Sequence, residues 1–300
     1  MLRPSPHRRS SRVSDHIEVI QPSMRNVIHE DAEPVCIAEG LRFTEGPCWW
    51  ASAGCLIFSD IPADTLYRWT EQEGAAVFRR PSRRANGNTV DMDGNLITCE
   101  HGSRTVTRTT PGCDVTTIAS SYRGRKLNSP NDVVVRSDGA VWFTDPPYGV
   151  KPEEREQPAN YVFRLDPGAD EPMAACDSLS RPNGLCFSPD ERILYIADSD
   201  TETHHIRRFG LGPDNTLTGG DVFAVIGCGV PDGLRCDADG RLYSTAGDGV
   251  WVFDAGGTLL GKIHTPETAA NCTFGGTEGR TLFITATSRV WAVDLKVAGA

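Results

Sequence analysis

The sequence predicts an all-β fold, a six-bladed β-propeller. Three observations carry this expectation. Short β-branched and aromatic runs recur every 40–50 residues or so, each folded about an Asp-Gly-type turn. Six such units fit the chain. An Asn, Asp or Glu stands in nearly the same register ahead of every unit.

The clearest unit runs from Leu127 to Gly149, LNSPNDVVVRSDGAVWFTDPPYG. Val133 to Val135 is a β-branched run, Ser137-Asp138-Gly139 a tight turn, and Ala140 to Thr144 a second strand. Equivalent turns have their second residue at Gly54, Gly94, Gly139, Glu191, Gly240 and Gly279, spaced 40, 45, 52, 49 and 39 apart. Eight residues before five of these turns stand Asn86, Asn131, Asn183, Asp232 and Asn271; nine before Gly54 stands Glu45. The innermost strand of a propeller blade lines the central channel, so a residue at one fixed place before it lies on a ring about the axis. Turn chemistry also favours Asn, Asp and Gly before strands, but it does not require two acids and four amides to share one register. An oxygen-only cluster of this kind suits a hard divalent cation.

Taken in order, Met1 to about Ser23 is rich in Arg, Ser and Pro without an apolar signal-peptide core. Residues 1–30 are expected to be a disordered extension, or the product of a start codon placed too early, ahead of one propeller domain over residues 31–300. Glu33 to Leu41 holds a short strand-like run, the candidate to close the ring on the last blade. Residues ending the second strand of a blade return towards the mouth: Asp60, His101, Asp145, Ser199 and Asp248. Of these, His101 can titrate near neutral pH. Pro146-Pro147-Tyr148-Gly149 is a stiff loop expected over the mouth, and Lys151 to Pro158 a solvated insertion. His204-His205 reads as a surface pair, since neighbours on a strand face opposite ways, and Gly210 to Gly220 reads as a loop.

Composition narrows the function. A formal net charge of −10 argues against nucleic-acid binding, and no run of 18 apolar residues suggests a membrane span. The ten cysteines include no CxxC pair. Cys48, Cys55, Cys99, Cys186, Cys236 and Cys272 fall in or beside strands and read as reduced, buried small hydrophobes. With no convincing signal peptide, the expected location is cytoplasmic. No GxSxG elbow, Walker loop or HExxH occurs, so chemistry must come from the ring. The sequence carries no clear trace of an oligomeric state.

Glu45-Gly46-Pro47, CEHG at Cys99 to Gly102, LNSPNDVV from Leu127, WFTDPPYG from Trp142, RPNG at Arg181 to Gly184 and PDG at Pro231 to Gly233 together resemble the SMP-30/gluconolactonase family, its bacterial gluconolactonase branch in particular. The resemblance covers roughly residues 35–295. It implies one divalent cation in the channel, usually calcium, with magnesium, manganese and zinc also compatible. The ligands it implies are Glu45, Asn131, Asn183 and Asp232. The Asp232 position is also the family's general base or nucleophile. Asn86 and Asn271 are carried over only as supporting or substrate contacts, beside His101 and Tyr148. Cys48 in place of an aliphatic residue and Glu191 in place of a turn glycine depart from the family pattern. The expected activity is hydrolysis of a gluconolactone-like sugar lactone, with Asp232, His101 or a metal-bound water as the base. A phosphotriester hydrolase of the same propeller type, or a non-catalytic calcium-binding propeller, is the competing expectation.

Overall fold

The computed structural model describes residues 14–300. Six antiparallel sheets follow one another along the chain. Blade one is Thr44–Trp50, Cys55–Asp60, Thr65–Thr70 and Gly74–Arg79; blade two is Ala85–Val90, Leu96–Glu100, Thr105–Thr109 and Val115–Ala119. Blade three is Val133–Val135, Val141–Asp145, Tyr161–Leu165 and Met173–Cys176. Blade four is Pro182–Phe187, Ile193–Asp198, His205–Leu211 and Leu217–Val225. In blade five the strands are Leu234–Cys236, Leu242–Ala246, Gly249–Phe253 and Leu259–His264, and in blade six Ala269–Gly275, Thr281–Ala286 and Arg289–Asp294.

The ring closes through the N-terminal segment. Val35–Ala38 pairs with Arg289–Asp294 as the outer strand of blade six, as expected for the run at Glu33 to Leu41. The expectation of a disordered extension over residues 1–30 needs correction. Residues 1–13 lie outside the described residues, but from Ser14 onwards the chain is part of the fold. Ile17–Val19 adds a fifth strand to blade five, in register with Gly261–Ile263, and Pro22–Asn26 forms a 3₁₀ turn. The short run Ile17-Glu18-Val19 has strand period: Ile17 and Val19 are buried while Glu18 Oε2 lies 3.2 Å from His264 Nε2. Met24, Val27 and Ile28 then fill the seam between blades five and six. Each such buried side chain contributes roughly 1.5–3 kcal/mol of hydrophobic stabilisation, a pull that the Arg-, Ser- and Pro-rich start of the chain conceals.

The six turn positions adopt left-handed backbone, φ 60° at Gly54, 80° at Gly94, 84° at Gly139, 83° at Gly240 and 66° at Gly279, with φ 53° at Glu191. Glu191 fills a glycine role because its carboxylate is anchored: Ser137 N donates to Oε1 at 2.8 Å, and Arg136 Nε lies 3.4 Å from Oε2. Adjacent blades are joined by hydroxyls on their second strands. Ser59 Oγ donates to Asn86 O (2.6 Å), Thr144 Oγ1 to Asn183 O (2.9 Å) and Thr245 Oγ1 to Ala270 O (2.9 Å).

The stretch Gly210 to Gly220 also needs correction. Strands run through Leu211 and resume at Leu217, so only residues 212–216 form a loop. There Arg207 to Leu211 find ladder partners in Leu217 to Val222 despite the intervening glycines. All ten cysteines are unpaired, and the six on inner or second strands are buried. Among the described residues no helix is long and apolar enough to cross a membrane.

Candidate functional site

The ring forms because each of its members sits at the start of an innermost strand. Four of the six are followed by glycine, and the packing explains why. Gly184 N donates to Asp232 O at 3.0 Å, and a Cβ on Gly184 would fall 2.1 Å from that oxygen. Gly233 N likewise donates to Ala270 O at 2.8 Å. Neighbouring innermost strands touch backbone to backbone here, which leaves no room for a side chain and converges the preceding polar residues on the axis.

Glu45, Asn86, Asn131, Asn183 and Asn271 are all buried, and Asp232 is half-buried. Three amides form a directional run: Asn86 Nδ2 donates to Asn131 Oδ1 (2.5 Å), Asn131 Nδ2 donates to Asn183 Oδ1, and Asn183 Nδ2 donates to Ser199 Oγ (2.9 Å). Ser199 in turn donates to Pro231 O at 2.5 Å. On the other side, Gly46 N donates to Glu45 Oε2 at 2.6 Å and Asn271 Nδ2 donates to the same oxygen at 3.2 Å. Asn271 is thus a clamp on Glu45. Its own Oδ1 accepts Cys272 N at 2.8 Å.

The carboxyls carry the electrostatic signature. Burial is the main cause that pushes Glu45 up to about 7, with the Asp132 charge adding to it against hydrogen bonds from Gly46 and Asn271. Asp232 is raised well above the usual carboxylate range, first by burial and then by the charges of Glu45 and Asp132. Its Oδ1 is buried with no hydrogen-bond partner. An unsatisfied buried carboxylate oxygen is costly, and two mutually repelling carboxyls beside amide oxygens are the donor set a hard cation relieves. Among the described residues no group of three or more His, Cys, Asp or Glu is arranged to hold a metal. Glu45, Asp232, Asn131 and Asn183 bring carboxylate and amide oxygens to this end of the channel, the donor chemistry that suits a hard cation.

His101 and Tyr148 complete the mouth. His101 Nε2 lies 3.2 Å from both Asn86 Nδ2 and Asn131 Oδ1. Nε2 accepts from the Asn86 amide in one tautomer and donates to Asn131 Oδ1 in the other. Burial lowers the imidazole to about 4, so it is neutral at pH 7. Gly149 packs on it, for a Cβ there would lie 2.7 Å from His101 Cβ. Gly149 N also donates to Ser129 Oγ at 2.8 Å. This seats the Pro-Pro-Tyr-Gly loop beside the ring, with Tyr148 half-exposed and hydrogen-bonded to the Ser199 side chain. Burial and the nearby Asp232 charge push its hydroxyl up to about 12.

Three of the strand-end residues expected near the ring do other work. Asp60 accepts Arg42 N and Phe43 N (3.0 and 3.2 Å), and Asp145 accepts Asn128 N (2.7 Å), so both hold the approach to their own blade's first strand. Asp198 does the same with Ser180 N and Arg181 N. Asp248 accepts from Trp251 Nε1 and Lys262 Nζ. The residue one place beyond the strand, His101 or Ser199, is the one that meets the ring. His204 Nδ1 faces Ile226 O at 2.6 Å and His205 Nε2 lies 3.8 Å from Asp198, a structural pair. Sequence reasoning missed Asp132, buried beside the ring, and Arg235, half-buried against it. Their signals were an acid where four blades have glycine, and a charge between Leu234 and Cys236.

With this geometry in place, comparison with known proteins is informative. Residues 43–288 match the model of the SMP-30/Gluconolactonase/LRE-like region. A gluconolactonase from Zymomonas mobilis is 34% identical over 291 residues, covering 88% of this chain and 81% of that protein. The pentonolactonase XacC of Haloferax volcanii is 27% identical over 81% of both. The solved structure of a gluconolactonase from Xanthomonas campestris superposes with a TM-score of 0.88 at 36% identity, over 94% of this chain and 95% of that one. The chain therefore belongs to the SMP-30/gluconolactonase family.

Proposed function

We propose that this protein hydrolyses the ester bond of a sugar lactone, of the gluconolactone type, to the open-chain acid, with a divalent cation held by Glu45, Asn131, Asn183 and Asp232. The observation that carries the reading is the unpartnered buried Asp232 Oδ1 beside Glu45 in an oxygen-only ring. The gluconolactonase and lactonase relatives point to the same ester chemistry. Calcium best matches mixed carboxylate and amide oxygens. When bound, such a cation supplies Lewis-acid polarisation of an ester carbonyl.

The chain's own residues do the rest. Asp232 stands closest to the role of base: it is the ring aspartate with an oxygen that makes no hydrogen bond, and as a carboxylate it would take a proton from the attacking water. Asn86 and neutral His101 on one side, and the Tyr148 hydroxyl on the other, offer hydrogen bonds to ring hydroxyls of the sugar. Ser199 orients Asn183 and Tyr148 together.

The test is hydrolysis of glucono-1,5-lactone by pH-stat, corrected for the spontaneous rate, before and after chelation and cation re-addition. Turnover that is lost with chelator and restored by one divalent cation is expected. Absence of turnover on a panel of aldonolactones with cation present would overturn the reading, and cleavage of a phosphofluoridate alone would replace it. Asn86→Ala is expected to raise KM about five- to tenfold with little change in kcat, the loss of one hydrogen bond to substrate.

A further inference from the structure

The axis below the ring is occupied by an ion pair that the lactone chemistry does not use. Asp132 follows Asn131 where blades one, two, four and five have glycine. Its side chain is 2% exposed; Oδ2 accepts Leu185 N at 3.4 Å, a hydrogen bond from the Asn271 amide reaches it, and Oδ1 has no partner. Arg235, three residues after Asp232, brings Nη1 to 3.9 Å from Asp132 Oδ2 and donates to Leu234 O at 2.7 Å. The rest of its guanidinium opens on a cavity of about 340 Å³ at the other end of the channel, lined with it by Cys48, Cys186, Cys236, Thr89 and Thr273. A chain of contacts therefore runs Arg235, Asp132, Asn271, Glu45, from the far cavity to the ring.

The charges in this column are unequal to the task of neutralising one another. Three carboxyls, Glu45, Asp232 and Asp132, share this column with one guanidinium, that of Arg235. A loose pair at 3.9 Å is not a full neutralisation, so charge is left over beneath the ring. Resting on the cation-binding reading above, we infer that Asp132 and Arg235 form a charged floor that sets the affinity of the ring for its cation. Asp132 strengthens it, through its negative charge and by holding Asn271 on Glu45. Arg235 weakens it, as a permanent cation fixed beneath the site. The two residues are positioning residues with opposite signs. Loss of packing alone would move both in the same direction.

The experiment titrates calcium, by calorimetry, into chelator-treated full-length protein and its variants, with circular dichroism and thermal melts in chelator to report folding. Asp132→Asn is expected to weaken binding about tenfold or more, the usual size of a supporting-residue effect. Arg235→Gln is expected to tighten it at least threefold, Arg235→Lys to leave it within threefold, and the double variant Asp132→Asn/Arg235→Gln to fall between the single changes. If Arg235→Gln does not fold, Asp132→Asn and Arg235→Lys still decide the matter. Asp132→Asn within twofold of wild type, or weakening by both Asp132→Asn and Arg235→Gln, would overturn the floor. Wild-type protein that binds no calcium, magnesium or manganese would overturn the cation reading itself and the floor with it.

Discussion

Asp232 and Asp237 lie five residues apart in blade five, at opposite ends of the same innermost strand. Asp237 is fully buried and fully used. Its Oδ1 accepts Asp239 N and Arg241 N (3.0 and 2.9 Å), and its Oδ2 accepts Arg241 Nη1 and Tyr243 Oη (2.9 and 3.0 Å). Asp232 keeps one oxygen buried and unpartnered, facing other carboxyls. The same residue type is thus a staple at the turn end and an unspent donor at the mouth. Blades two to four repeat the turn-end half of the lesson: Asp91, Asp138 and Asp190 each bind the backbone of their own hairpin, with Asp93 N and Asn95 N on Asp91 Oδ1.

The sharpest way to break this contrast is to neutralise each aspartate in turn. Asp232→Asn is expected to lower kcat by roughly 10³-fold or more, in the range of a lost general base. Chelated protein carrying it should unfold at an unchanged or higher denaturant midpoint, because a repelling carboxyl has gone. Full activity in Asp232→Asn would remove the residue from the chemistry. Asp237→Ala should do the reverse. It leaves the Tyr243 hydroxyl and two backbone donors without their acceptor and Arg241 with Asp239 alone, so urea melts should show a loss of roughly 3–5 kcal/mol, while kcat of the folded fraction stays near wild type.

A third variant separates burial from function. Asp145 holds Asn128 N through one oxygen while its Oδ1 is buried without a partner, and burial drives its carboxyl from 3.8 to about 7. Its folded value lies above its unfolded one, so its contribution is fully present below about pH 4 and is lost as pH rises through about 7. A rise of that size corresponds to at most roughly 4 kcal/mol. Asp145→Asn should therefore gain on wild type between pH 4 and 8 in urea melts, and a constant difference across that range would refute the assignment. The smallest effect is expected at the turn itself. Glu191→Gly relieves a left-handed backbone costing roughly 1–2 kcal/mol but gives up the bonds to Ser137 and Arg136, so the midpoint should move by less than about 1 kcal/mol.

Much of this was legible before any coordinates. The turn pairs, the strand runs and the register of Glu45, Asn86, Asn131, Asn183, Asp232 and Asn271 are local facts, because a hairpin of β-branched residues about Asp-Gly has few other solutions. Repetition of one hairpin six times then dictates a closed ring, and with it a converging mouth. What only the tertiary structure decided is how each polar group is spent. Asp60 and Asp145 end strands just as the sequence suggests, but the backbone donors they meet come from the loops that lead into their blades, and Asp248, in a turn, meets side chains of the next two strands instead. Asn271 shares its register with the other amides, yet it clamps Glu45 because Gly233 of the neighbouring blade lets it lie flat. Ile17 to Ile28 reads as part of a polar tail until the seam between blades five and six supplies an apolar surface. Asp132 and Arg235 lie two blades apart in the sequence. Closing the ring brings them together on the axis, where burial turns two ordinary charges into the floor of the site.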